Sequence, residues 1–212
     1  MTGREGVEDL KEFVYLGTTV TKEGSGTEDV KKRLSKAQGA FFNLKKIWNT
    51  RSIGWNTKIK LFKTLVRPVL LYGCEAWKLT VAEERKLDRF QFTCLRRILR
   101  IWWPQRIRND TISQLTGVKK ISDEIRRRRW NWIGHVLRKE RNDDCMVAME
   151  WQPDGMRKVG RPKTTWRRTV EKESRQERWT SWVEVRGTAQ DRASWRGKLQ
   201  PYAPHNVVRT NS

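Results

Sequence analysis

Val30, Leu34, Ala37, Phe41, Leu44 and Trp48 recur at alternating spacings of four and three. In a strand those positions would point to both faces. In an α-helix they line up as one apolar stripe, so this part of the chain must be helical and must bury that stripe. Lys31, Lys32, Lys36, Lys45 and Lys46 all fall off it, on the wet side. Thr27 is a good N-cap for this helix, with Glu28 and Asp29 in its first turn where carboxylates favour the dipole.

The same period repeats downstream. A second helix is predicted from Asn56, with Ile59, Phe62, Val66 and Val69 on one face, a bend at Pro68 and an end at Gly73. Thr80-x-x-Glu83 is a capping box for a third, with Leu87, Phe90, Cys94, Ile98 and Ile101 on its apolar face and Pro104 at its close. Residues 109–117 predict a short helix capped by Asn109 and stopped by Gly117. Ser122 caps a fifth, in which Ile125, Trp132 and Val136 share one face, Trp130, Ile133 and Leu137 lie beside them, and Trp132 is expected in the core. Beyond it come a short turn of helix over Cys145–Trp151, a basic loop over 152–163, a helix from Thr164/Thr165 to about Gln176, and a last one from Ser181 to Leu199 weakened by Gly187. Near the start, the β-branched and aromatic run Phe13–Val20 predicts a strand, with Gly3–Leu10 as the other arm of a hairpin.

The expected fold is therefore mainly α. A β-hairpin over 1–26 is followed by a helical bundle over 27–103, a basic, Trp-rich helical region over 104–200, and a disordered tail over 201–212.

Charge narrows the function. The chain has 46 Lys plus Arg against 24 Asp plus Glu, a net charge of +22. The first 30 residues hold three basic and seven acidic side chains, so the excess lies entirely after them. Such a field draws polyanions, and counterion release makes nucleic acid the natural partner. No apolar stretch is long enough to span a bilayer, so no membrane partner is expected. The three cysteines, 74, 94 and 145, imply no disulfide framework and point to a nuclear or cytoplasmic setting.

Two basic clusters are the candidate phosphate contacts. Residues 85–108 carry eight basic side chains and only Asp88 in opposition. Within them Arg85, Arg89, Arg96 and Arg100 recur on one helical face, with Arg97 beside them. The second cluster is Arg126, Arg127, Arg128 and Arg129, followed by Trp130 and Trp132, which suits forked contacts to phosphate with stacking on bases. Gly160-Arg161-Pro162-Lys163 has the form of an AT-hook core, in which Arg161 would enter a narrow A·T minor groove, with Lys163 a further candidate contact.

Catalytic sets are thin. His135 and His205 are the only histidines and neither has cysteines at zinc-finger spacing. The pair Asp143-Asp144 lacks a preceding apolar strand and reads as a helix cap, as do Glu83-Glu84 and Asp123-Glu124. No cofactor, no metal site and no catalytic activity of its own are expected.

Several motifs together resemble the C-terminal portion of reverse transcriptases encoded by non-LTR (LINE-type) retrotransposons. Phe13-x-Tyr15-Leu16-Gly17 resembles the hairpin at the palm–thumb junction that grips the primer end. Val66-x-Pro-Val-Leu-Leu-Tyr-Gly73, with Glu75 and Trp77, resembles the thumb signature, as does Cys94-Leu-Arg-Arg-Ile-Leu99. Arg128-Arg-Trp-x-Trp-x-Gly-His-Val136 and Gly160-Arg-Pro-x-x-x-Trp166 match the usual continuation. The resemblance implies a thumb and post-thumb segment that holds template–primer or element RNA, without the family's Ala-Asp-Asp catalytic turn, working with a palm-containing reverse transcriptase in trans if catalysis occurs. Gly187 within the final helix and Val159 at a commonly basic position depart from the family pattern and suggest an eroded copy. Two other readings stay open at this point: a free-standing DNA-binding protein using the AT-hook-like loop, and a remnant open reading frame without function.

Overall fold

The alternating stripe becomes two helices, α1 (Gly26–Asn43) and α2 (Lys45–Asn49), hinged at Leu44. The indole N–H of Trp48 donates to the Phe41 carbonyl at 2.7 Å, and its ring stacks on that of Phe41 with centroids 5.0 Å apart. That local pairing turns the chain where continuous periodicity predicted one helix. The buried Lys58 then donates to the carbonyls of Trp48 and Thr50, at 2.9 and 2.6 Å, and closes the end of α2. Burial, and after it the charge of Arg100, holds Lys58 below the usual lysine pKa.

In the computed structural model the described residues are 12–15, 18–21, 26–151, 165–176 and 179–199, and they form a mainly helical chain. The hairpin of residues 3–10 against 13–20 is not supported. Instead β1 (Glu12–Tyr15) and β2 (Thr18–Thr21) make one short antiparallel pair, with Phe13 opposite Val20. The run expected as a single strand is thus divided in two. Residues 3–10, Leu16 and Gly17 lie outside the described residues.

The segment around Pro68 shows how a proline is absorbed. α3 (Trp55–Leu61) continues through a π-helical turn over Phe62–Val66 into α4 (Arg67–Leu71), and Pro68 sits in the first turn of α4. Pro68 has no N–H to give and its ring would press on the carbonyl four residues back. The wider turn relieves both. Gly73, at φ 70°, ends this stretch in the left-handed region.

α5 (Val81–Leu99) starts at the expected capping box: the Glu83 amide donates to Thr80 Oγ1, and Glu83 Oε2 accepts from the Thr80 amide at 2.8 Å. It ends five residues before Pro104. Arg100 is left-handed (φ 57°), and the Ile101 amide reaches back to the Arg96 carbonyl at 2.9 Å, closing the helix without help from the proline. α6 (Asn109–Thr116) and α7 (Ile121–Leu137) follow. Neither uses its expected cap. Asn109 accepts from Arg96, while the amide and hydroxyl of Ser122 donate to the Asp88 carboxylate, at 3.0 and 2.8 Å.

Two apolar cores result. The first runs from Val30 to Ile125, continuous across the loop at residue 103. The second runs from Trp130 to Leu199 and is built on α7, α8 (Asp144–Glu150), α9 (Trp166–Gln176), α10 (Trp182–Gln190) and α11 (Arg192–Leu199). The cores divide inside α7, between Ile125 and Trp130. The helix expected over 181–199 is broken at Asp191, whose carboxylate caps α11 through the Ala193 and Ser194 amides, and not at Gly187.

Trp130, not Trp132, is the core residue of α7. It is fully buried, with ring centroids of Trp179 and Trp195 at 4.5 and 6.1 Å. Trp132 is 38% exposed and meets Trp166 edge-on. The difference is one of helical phase, since 130, 133 and 137 continue the buried row that 125 and 129 begin. Gly134 lies against the Trp195 indole, where a methyl group would overlap the ring. A helical Gly→Ala change ordinarily stabilises by about 1 kcal/mol. Gly134→Ala is instead expected to destabilise by about 1–3 kcal/mol, the usual cost of overpacking. Denaturant unfolding followed by tryptophan emission checks the sign, and a stabilised variant would refute the close approach.

Candidate nucleic-acid interface

α5 is covered on one side and bare on the other. Leu87, Gln91, Phe92, Cys94, Leu95 and Ile98 are buried, and Arg85, Lys86, Arg89, Thr93 and Arg97 are exposed. Two of the expected row are partly spent on the protein itself. Arg96, half-buried, donates to the Ile107 carbonyl and to Asn109 Oδ1, at 3.0 and 2.7 Å. Arg100 is exposed but donates to the Asn49 carbonyl at 2.8 Å.

The carboxylates of α5 turn away from this row. Asp88 serves as the cap of α7, and Glu83 belongs to the helix's own capping box. Glu84 is half-buried. Burial pushes its pKa up, against the opposing charge of Arg126 on α7. Arg85, Lys86, Arg89 and Arg97 therefore face solvent without a carboxylate of α5 among them. A row of one sign on a rigid helix gives a field that a polyanion can follow.

Beside Arg97, α1, α2 and α5 enclose a groove of about 220 Å³ whose lining includes Phe42, Lys45, Phe90 and Thr93. Phe42 is 65% exposed, and the Lys45 ammonium lies 5.8 Å from its ring centroid. Sequence periodicity gave little sign of this groove. Its only signal was Phe42 standing off the apolar stripe beside Phe41.

The cluster at 126–129 is differently placed. Arg127 donates twice to Glu124, at 3.0 and 2.7 Å, and Arg128 once, at 2.9 Å. Burial alone would raise the Glu124 pKa, but these hydrogen bonds hold it below the usual carboxylate range. Arg126 lies 3.7 Å from Glu173. Arg129 is 0% exposed, paired with Glu173 on α9 and donating to the Trp77 carbonyl at 2.7 Å. It has no surface to offer a phosphate, which corrects its assignment as a nucleic-acid contact. Four adjacent helical positions span more than one turn, so one of them had to face inward.

Arg161 and Lys163 lie outside the described residues. Phe13 and Tyr15 fall on β1, with side chains outside the description, as are Leu16 and Gly17 entirely. The α5 row and the 126–129 cluster lie on different helices that pack against each other.

Cys74 and Cys94 are buried, and burial pushes both thiols up to about 12, far from reactive thiolates. Asp143 caps α8 and accepts from Lys139, whose hydrogen bond lowers its pKa. Among the described residues no three His, Cys, Asp or Glu side chains gather to hold a metal ion, and no helix is long and apolar enough to cross a membrane.

A family described only as a domain of unknown function (DUF6451) matches residues 40–72, from the end of α1 to just past α4. The chain is 27% identical over 174 residues to a transposon-derived protein of Caenorhabditis elegans. That similarity covers 79% of this chain and 61% of the relative, so the chain spans about three-fifths of the relative's length. It ties the sequence to transposon-derived proteins. No solved structure matches.

The buried Arg129–Glu173 pair separates structural from exposed arginines experimentally. Glu173→Gln leaves the Arg129 charge buried and is expected to cost about 3–5 kcal/mol. Arg127→Ala, at a half-exposed pair, is expected to cost no more than about 1 kcal/mol. Denaturant unfolding of both variants checks the contrast, and equal losses would contradict the assignment.

Proposed function

We propose that this chain is a nucleic-acid-holding part of a non-LTR retrotransposon reverse transcriptase, corresponding to its thumb and post-thumb region. It grips template–primer or element RNA and supplies no catalytic carboxylates itself. The observation that carries the reading is the α5 row: Arg85, Lys86, Arg89 and Arg97 exposed on one rigid helix whose own carboxylates are turned to capping or partly buried. Similarity to a transposon-derived protein supports the setting, and the net charge of +22 supports the class of partner.

The recognition follows from general electrostatics. Phosphate contacts position a duplex without reading its sequence, and each releases condensed counterions. Arginine suits them because its fork can meet two phosphate oxygens at once. Lys45, on α2 at the edge of the groove beside Arg97, extends the same positive field.

The test measures binding to an RNA–DNA heteroduplex across a salt series. The parent chain should show a steep linear fall of log affinity with log salt. Changing Arg85, Arg89 and Arg97 together to Glu should weaken binding at every salt concentration and flatten the slope by about 1 for each phosphate no longer engaged. The matched control changes Arg192, Arg196 and Lys198, exposed on α11, by the same total charge. Equal effects of the two triple variants would mean that net charge alone attracts nucleic acid and α5 is not the site. No binding by the parent at about 50 mM salt would remove the function altogether.

A further inference from the structure

The loop from Arg100 to Arg108, between α5 and α6, displays two tryptophans that the fold does not use. Trp102 is 59% exposed and Trp103 is 87% exposed, although Ile101 and Ile107 on either side of them pack against the first core. Isolated apolar residues at a surface are ordinary, but two adjacent indoles at a loop tip are a large apolar area to leave wet.

The loop is built to hold them there. The Gln105 amide donates to the Trp102 carbonyl at 2.8 Å and closes a tight turn around the tip. Arg96 ties the far limb to α5 through the Ile107 carbonyl. Arg100 ties the near limb to the last residue of α2 through the Asn49 carbonyl. The indoles therefore project from a braced support, so little ordering entropy is left to lose on binding.

Their surroundings are cationic. Arg106 and Arg108 are exposed in the same loop, and Arg51 is exposed two residues beyond Asn49. Between Asp88 and Asp110 the sequence holds no carboxylate, and Asp110 opens α6 in its first turn. Exposed aromatic faces in a loop that also exposes arginines match a ligand that alternates flat bases with phosphates. A base still paired in a duplex offers its face only at the duplex end, whereas unpaired bases offer it at every step.

We propose that the 100–108 loop is a second nucleic-acid site, specific for unpaired bases. The indoles of Trp102 and Trp103 stack on bases of a single strand, and Arg51, Arg106 and Arg108 hold its phosphates. This rests on the reading that the chain binds nucleic acid, but it assigns a different surface and a different strand state from the α5 row.

The test compares the full chain with a Trp102→Ala/Trp103→Ala double variant and a Trp102→Phe/Trp103→Phe double variant. The probes are a short labelled single-stranded oligonucleotide, a blunt RNA–DNA heteroduplex and phosphatidylserine vesicles. The alanine variant should lose about tenfold or more in single-strand affinity, the usual loss when a stacked base loses its platform, with heteroduplex affinity unchanged. The phenylalanine variant, which keeps an aromatic face, should recover most of the loss. Unaltered single-strand affinity overturns the proposal, as does an equal loss on both nucleic acids. Vesicle binding that depends on the two indoles, with single-strand affinity unaltered, also overturns it and makes the loop a membrane contact. Photo-crosslinking of a 5-iodouracil-containing strand to the parent chain needs no variant to fold. Crosslinks at Trp102 or Trp103 support the proposal, and crosslinks confined to other residues refute it. Failure of this site with intact heteroduplex binding leaves the α5 reading standing, whereas loss of all binding by the parent removes both.

Discussion

A guanidinium without access to water has to find its partners inside the protein, and in this chain that requirement falls on Arg129. It sits on α7 where the first apolar core gives way to the second. Glu173 brings α9 to it, and the Trp77 carbonyl brings the segment between α4 and α5. The indole N–H of Trp77 then donates to Asp29 at 2.7 Å, and that carboxylate is buried on α1. Elements from both cores are thus held to one polar chain, Asp29–Trp77–Arg129–Glu173. Apolar contacts are non-directional, whereas a buried charge with a missing partner is strongly destabilising. The chain of hydrogen bonds therefore sets the alignment of the two cores more than it adds to their stability. Trp166 reinforces it by donating to the Glu75 carbonyl at 2.8 Å, so the start of α9 is fixed beside the same segment.

This arrangement divides the arginines by role. Those at 126–129 face carboxylates on α7 and α9, while those at 85, 89 and 97 face water. The division is set by where the few acids go. Glu124 accepts from Arg127 and Arg128 together, and Asp88 leaves its own basic helix to hold the start of α7. A protein of net charge +22 repels itself when compact. Asp29, Glu83 and Glu173 are buried, at a cap and in internal pairs, which offsets that repulsion inside the fold and leaves the excess positive charge on outer faces. Strong surface charge and a stable interior are thus two results of one placement of acids.

How much of this was legible in the sequence depended on range. The stripe from Val30 to Trp48, the Thr80–Glu83 capping box, the Asp143 cap and the Ser181–Glu184 start are all local, and local spacing was enough to find them. The break at Leu44 was not found, because it comes from Trp48 folding back on Phe41. Trp132 was placed in the core and Trp130 beside it, because two tryptophans two residues apart satisfy a helical pattern almost equally well. Trp179 and Trp195, about fifty and sixty-five residues on, decide between them. The site residues divide the same way. The exposed face of α5 followed from helical period, whereas the inward turn of Arg129 needed Glu173, which no spacing rule connects to it. Dense basic runs look like binding sites in sequence because their internal partners lie far away along the chain.

The end of α5 is where bracing and display meet. Its 19 residues make a rod of about 28 Å, comparable to eight base-pair rises of about 3.4 Å. At its last turn Arg96 and Arg100, which sequence spacing put in the phosphate-binding row, serve instead as braces for the loop that follows. That use costs the row two cations but fixes the Trp102–Trp103 tip relative to the exposed arginines behind it. On the proposed reading, a duplex lying along α5 ends where the braced indoles begin, so paired and unpaired nucleic acid would meet surfaces of different chemistry on one rigid support. The left-handed Arg100 makes that join possible. A helix continuing to Pro104 would have carried Trp102 and Trp103 around its own axis, and the early stop at Leu99 turns them outward.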